Sequence, residues 1–95
     1  MSDRPTLTGR VKATRYAAAL GMRIRLARLA AGRSLADCGL MLNVSRQLIC
    51  DLEQARTTCS AFQLAQLAEF LTVDPAWLLT GEREGESPKL IDLLT

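Results

Sequence analysis

The stretch "SLADCGLMLNVSRQLICDLEQ", residues 34–54, holds two short helical patterns on either side of a single turn. Ser34 is followed three residues later by Asp37, a variant of the capping box in which the carboxylate reaches back to the start of the helix. The helix it opens runs to Leu42, with Leu35, Cys38, Gly39 and Leu42 on its apolar side. Asn43 suits the left-handed residue of a tight turn, and Ser45 caps a second helix that reaches about Gln54. Two short helices joined by so tight a turn need a small residue where their backbones cross, and Gly39 supplies it. Cys38, Leu42, Val44, Ile49 and Leu52 then form the wedge between the helices, leaving Arg46, Gln47, Cys50 and Asp51 facing outward.

Working outward, residues 16–31 carry Leu20, Ile24, Ala27 and Ala31 at three- and four-residue steps, which predicts a helix with one buried stripe that Gly32 ends. Residues 1–15 hold Pro5, Gly9 and scattered charges without a sustained period, so they read as a basic arm or a frayed helix start. On the other side, Ser60 with Gln63 repeats the capping box and opens a helix whose core material is Phe62, Leu64, Leu67, Ala68 and Leu71. Thr72 and Val73 form a connection. Asp74-Pro75 is an N-cap followed by proline at the first helical position, starting a fifth short helix with Trp77, Leu78 and Leu79 that Thr80-Gly81 stops. "EREGE" is a polar linker, and "SPKLIDLLT" restarts with cap plus proline. Its Leu90, Ile91, Leu93 and Leu94 are too short a helix to stand alone and must pack on the domain or on a second subunit. Residues 83–95 are therefore a linker and short C-terminal helix, a candidate dimerisation tail.

With 95 residues the chain has room for one small domain. Its composition, 48% hydrophobic but only 4% aromatic with Ala and Leu dominant, favours helices over strands, so the expected class is all-α. No apolar run approaches membrane length and none follows the N-terminal Met, which points to the cytoplasm. Three cysteines, Cys38, Cys50 and Cys59, lack the close pairing of a zinc site and are expected as reduced thiols, with no metal and no cofactor. An enzyme is the weakest class, because there is no His and no nucleophile set beside a base.

Net charge is only +2, yet its distribution is lopsided. Residues 1–33 carry Arg4, Arg10, Lys12, Arg15, Arg23, Arg25, Arg28 and Arg33 against Asp3 alone. Residues 60–95 carry Arg83 and Lys89 against Glu69, Asp74, Glu82, Glu84, Glu86 and Asp92. The split describes either a pole that meets a polyanion or a solvated basic helix face.

The segments "GMRIRLARLAAGRSLADCGLMLNVSRQLICDLEQAR" and "FQLAQLAEFLTVDPAWLLTGE" resemble the XRE-type helix-turn-helix domains of phage repressors and Cro proteins. The likeness runs from Leu20 to Glu82. It rests on Arg23-Ile24, Arg28, Gly32-x-Ser34, "VSR" with Ile49 and Glu53 behind it, and "LAEFLTVDPAWLLTGE" in place of the family's "LAxALGVxxxWLLxGE". The resemblance implies a five-helix, lambda repressor-like domain over residues 16–82, with a basic N-terminal arm and a short C-terminal apolar segment. It also implies a homodimeric repressor in the bacterial cytoplasm or nucleoid. Its second short helix would lie in the major groove of double-stranded DNA, on a pseudo-palindromic operator.

Carried over residue by residue, Arg28 and Glu53 match an internal ion pair of phage repressors. Arg46 and Gln47 occupy the base-reading positions, where Arg suits guanine and Gln adenine. Cys50 sits where a small or polar residue faces the groove, with a redox-sensitive thiol as the alternative, and Asp51 can accept only from an amino group such as cytosine N4. Leu48 is either core or a contact for a thymine methyl. Backbone contacts fall to Ser45, Arg56, Thr57, less strongly Thr58, and to Arg10, Lys12 and Arg15. Trp77 is either core or, with Leu90, Ile91 and Leu94, part of a dimer interface. The sequence departs from the family at Leu35, where Gln is usual, and at Asn43 and Ala55, where Gly is usual. Ala at a left-handed site would be strained by about 1 kcal/mol. The rival expectation is an antitoxin or other protein-interaction module whose C-terminal tail grips a partner, with autoregulatory DNA binding.

Overall fold

Four of the five helices begin at a side-chain oxygen placed to catch a free backbone N–H. Ser34, Ser45 and Ser60 accept from the N–H three residues on, and Asp74 accepts from Ala76 N. In a computed structural model, which describes residues 7–82 and side chains from Arg15 onward, these caps delimit the elements. They are α1 Leu7–Ala30, α2 Leu35–Leu42, α3 Arg46–Glu53, α4 Ala61–Leu71 and α5 Pro75–Thr80, with no strand among the described residues. The all-α, five-helix expectation holds.

The helix ends share one device. At Gly32, Asn43, Ala55 and Thr72 the N–H bonds the carbonyl three residues back, and the next residue's N–H bonds the carbonyl five back, as in Val44 N to Gly39 O at 2.8 Å and Arg56 N to Asp51 O at 2.8 Å. This closure requires a left-handed residue. Gly32 (φ 69) and Asn43 (φ 58) take it at little cost, whereas Ala55 (φ 61) and the β-branched Thr72 (φ 61) are held there against their preference. Ala55 thus takes the left-handed conformation at which strain is expected, in the same turn that Gly32 and Asn43 make. At Thr72 no residue type signals it, and the plain connection read from the sequence is a strained helix end.

Five fully buried side chains form the centre of the core, one from each helix: Ile24, Cys38, Ile49, Leu67 and Leu78. Around them lie Ala27, Leu42, Leu52, Leu64, Ala68, Leu71 and Trp77, with Leu20, Leu35, Val44, Cys59, Phe70 and Val73 packed against the cluster. α3 packs on α2 and α1, α4 on α2 and α5, and α1 on α5. Gly39 is the crossing residue of the α2–α3 turn, since a Cβ there would stand 2.9 Å from Val44 O. A second crossing has no signal in the periodicity. A Cβ at Gly21 in α1 would stand 2.5 Å from Leu52 O and 2.6 Å from Glu53 O, so a glycine lets α1 lie against the end of α3.

Three expectations are corrected. The first helix, expected from residue 16, starts at Leu7, so of the two readings of the N-terminal segment residues 7–15 follow the helix start and not the arm. After Pro5 nothing interrupts that run except Gly9, which costs a helix about 1 kcal/mol without ending it. Ala31 is exposed, because α1 stops at Ala30 and Ala31 belongs to the turn that Gly32 closes. Phe62 is 72% exposed rather than core: the buried face of α4 is Leu64, Leu67, Ala68 and Leu71, and a residue two before Leu64 projects from the opposite side. In α5 Trp77 and Leu78 are buried, and Leu79 is 47% exposed.

Candidate nucleic-acid interface

α3 presents two faces with different chemistry. Ile49 and Leu52 face inward and are buried. At its carboxyl end Glu53 takes a two-point ion pair from Arg28 of α1, Nε to Oε2 at 2.5 Å and a terminal guanidinium nitrogen to Oε1 at 3.0 Å. The side chains are 12% and 7% exposed. Arg28 also donates to Arg33 O at 3.0 Å, so one guanidinium ties α3 to α1 and to the turn after α1. The hydrogen bond to Glu53 raises the Arg28 pKa above its ordinary value against the opposing effect of burial. Such a fork-to-carboxylate pair fixes direction as well as distance.

The outward side begins at Ser45, whose hydroxyl accepts from Leu48 N at 3.0 Å. α2 and α4 complete their caps reciprocally: Asp37 accepts from Ser34 N, and Gln63 from Ser60 N. α3 has Leu48 at the matching position and completes nothing. The N–H of Ser45 therefore joins those of Arg46 and Gln47, open as at any helix start, in having no acceptor among the described residues. Donors at the positive end of a helix are a ready anion contact.

Arg46 and Gln47 are exposed and adjacent to those donors. One turn on, Asp51 Oδ1 accepts from Gln47 Nε2 at 2.9 Å and pairs with Arg56 at 3.4 Å. The structure thus brings Gln47, Asp51 and Arg56 into one linked group, a connection with no signal in their spacing beyond the four-residue step from Gln47 to Asp51. Cys50 is half-buried and accepts from Gln54 Nε2 at 3.3 Å, while Leu48 is half-buried at the helix edge. Thr57 and Thr58 lie in the loop beyond Arg56, Thr57 half-buried and Thr58 exposed. Leu35 packs against the core.

The basic pole is smaller than its charge count. Arg23 donates to Leu78 O at 3.1 Å and Leu79 O at 3.2 Å, capping the carboxyl end of α5. Gly81, left-handed at φ 79, leaves the room that guanidinium needs, since a Cβ there would come within 2.7 Å of it. Arg28 is occupied as described, and Arg33 lies over the Phe70 ring at 4.6 Å. Arg15 and Arg25 remain exposed. Arg10 and Lys12 lie on α1, with side chains outside the described ones, and Leu90, Ile91 and Leu94 lie outside the described residues altogether.

Trp77 is 3% exposed and packs in the core, as the first of its two readings has it. Burial pushes the Cys38 and Cys59 thiols up, holding them protonated, and all three cysteines are free. Among the described residues no group of three or more His, Cys, Asp or Glu is placed to hold a metal ion, and no helix is long and apolar enough to cross a membrane.

No curated protein and no solved structure matches the chain. A family model described as a helix-turn-helix domain matches residues 19–80, which takes in α2, the Asn43 turn, α3 and the helices that hold them. A second helix fixed by its inner face, with a polar outer face and open backbone donors, is the arrangement that places a helix against DNA, and by that match the chain belongs to the helix-turn-helix domain family.

Proposed function

We propose that this protein is a sequence-specific DNA-binding transcription regulator of the XRE or Cro-repressor type, acting in the bacterial cytoplasm as a homodimeric repressor on a pseudo-palindromic operator. One observation carries the reading: of the two helices that meet at the Asn43 turn, α3 is the one whose capping box is not completed, and Arg46 and Gln47 stand exposed beside its amino end, where three N–H groups have no acceptor among the described residues. In the major groove Arg46 would take guanine O6 and N7, Gln47 would read the neighbouring pair, and Ser45 with the adjacent N–H groups would hold a phosphate. Arg56, Thr57, Arg15, Arg10 and Lys12 supply further backbone contacts. Cys50 lies on the same outer face. A two-fold dimer would set the two α3 helices about 34 Å apart, with Leu90, Ile91 and Leu94 contributing to the contact.

Exposed apolar side chains favour the second reading, a protein-interaction module such as an antitoxin with autoregulatory DNA binding. Tyr16 (65% exposed) and Leu79 border an apolar groove with Ala17, Leu20 and Thr58, a receiving surface for a second copy or a partner. Removing residues 83–95 separates the readings: a truncated protein that stays dimeric and keeps its operator affinity assigns the tail to a partner.

The deciding experiment is selection of bound sequences from a random DNA pool, followed by titration at two salt concentrations. Specific recognition predicts an enriched motif, and Arg46→Ala flattens its preference at one base position by about 1–3 kcal/mol. Binding with a steep salt dependence and no enriched motif would leave only nonspecific electrostatics.

A further inference from the structure

The outer face of α3 carries one carboxylate. A bare aspartate facing a phosphate polymer weakens every complex regardless of sequence, so a carboxylate here needs another use. Asp51 has one: it is 28% exposed, and its Oδ1 meets Gln47 Nε2 at 2.9 Å and Arg56 at 3.4 Å. A carboxylate only accepts hydrogen bonds. It therefore settles which end of the Gln47 amide turns toward it, with Nε2 drawn to Asp51 and the carbonyl Oε1 directed away.

We infer that Asp51 is a positioning residue for specificity, which fixes the amide of Gln47 carbonyl-outward and restrains Arg56 rather than touching a base itself. This rests on the DNA-reading role proposed above and deepens it. A glutamine free to rotate offers either end of its amide to a groove edge, and so tolerates both donors and acceptors. With Oε1 leading, the base it meets must present an amino group: adenine N6, with the second amide N–H left for adenine N7, or cytosine N4. Guanine O6 and thymine O4 would oppose an acceptor with an acceptor. Discrimination at that position is then set one helical turn away from the base.

Arg56 is the second party. Its side chain is 61% exposed and pairs with the same oxygen, so its charge is held beside α3. Loss of Asp51 frees Gln47 to rotate and leaves the Arg56 charge undivided for its phosphate contact, which lowers selectivity and raises overall affinity together.

The test selects bound sequences with the full chain, with Asp51→Ala and with Asp51→Asn, and records thermal midpoints beside them. The wild-type motif is expected to hold adenine or cytosine at the Gln47 position. In D51A that preference falls about fivefold or more while the remaining positions keep theirs, total affinity rises, and the midpoint stays within a few degrees. D51N, which keeps an oxygen for Gln47 Nε2 but also offers Oε1 a competing donor, gives an intermediate preference. A uniform gain in affinity with every base preference unchanged would overturn the inference, leaving Asp51 as a source of repulsion only. Preferences lost at many positions together with a lowered midpoint would overturn it in favour of a structural role. A wild-type selection without any motif would remove the DNA-reading proposal itself, and the inference with it.

Discussion

α2 and α3 are both eight residues long, both start at a serine, and they meet across one turn, yet they are finished differently. α2 is closed at its amino end by the Ser34–Asp37 box, and its buried residues Cys38, Gly39 and Leu42 face its neighbours. α3 has half a cap, no acidic residue in its first turn, and a polar face that none of the described residues covers. What α3 lacks in local closure it recovers through tertiary contacts: Ile49 at the centre of the core, Leu52 beside it, and Glu53 held by Arg28. A helix held from behind can leave its front and its amino end available, which is what a reading helix requires and a supporting helix does not.

The largest effect expected from breaking that difference comes at the anchor. Glu53→Ala leaves the Arg28 guanidinium charged and unpaired with its side chain only 12% exposed, a loss of about 3 kcal/mol measurable by urea denaturation. Adding Arg28→Ala should recover part of it, since the double variant no longer strands a charge. Full additivity of the two losses would show that the pair is not what holds α3.

A smaller effect tests the open end. Leu48→Gln copies the box that Gln63 makes with Ser60 in α4. It would occupy Ser45 N, which has no acceptor among the described residues. Replacing a phosphate contact with an internal one is expected to weaken DNA binding by about 0.5–1.5 kcal/mol, equally across sequences, without lowering helix content. Binding that weakens at one base position only would instead make Leu48 a base contact.

The contrast between the two helices was only half legible in the sequence. The caps, the turn at Asn43, Gly39 at the crossing and the inward set from Cys38 to Leu52 follow from local rules, because each depends on neighbours within about one turn. Gly21 does not: its meaning lies in the carbonyls of Leu52 and Glu53, thirty residues away in sequence. Nor does Arg23, which counted as basic surface but caps α5. For Ala31 a three-to-four-residue rhythm gives the helix face without saying where the helix ends, and Phe62, two residues before Leu64, falls outside that rhythm although it is apolar. At the interface, residue types pointed to Arg46 and Gln47. The sharing of Asp51 between Gln47 and Arg56 depends on side-chain direction along α3 and on the turn that Ala55 makes, and neither is written in spacing.

The smallest effect distinguishes the two caps by pH. Asp37 accepts hydrogen bonds from the backbone N–H of Ser34 and is held by its side chain as well, which lowers the carboxyl pKa below its ordinary value. A folded-state pKa below the unfolded one means that ionised Asp37 favours the folded protein. The contribution is complete above the unfolded value of about 4 and disappears as pH falls through the lower folded one. Asp37→Asn should therefore lower the thermal midpoint at neutral pH, and the gap from the parent protein should narrow steadily as the solution is acidified below about pH 4. α3 offers no counterpart, since its first turn has no acid and its cap is a hydroxyl that does not titrate in this range. Ser45→Ala should accordingly cost the same at both ends of that titration, so a pH-dependent cost at Ser45 would mean that a carboxylate reaches the amino end of α3 after all and that it is not open.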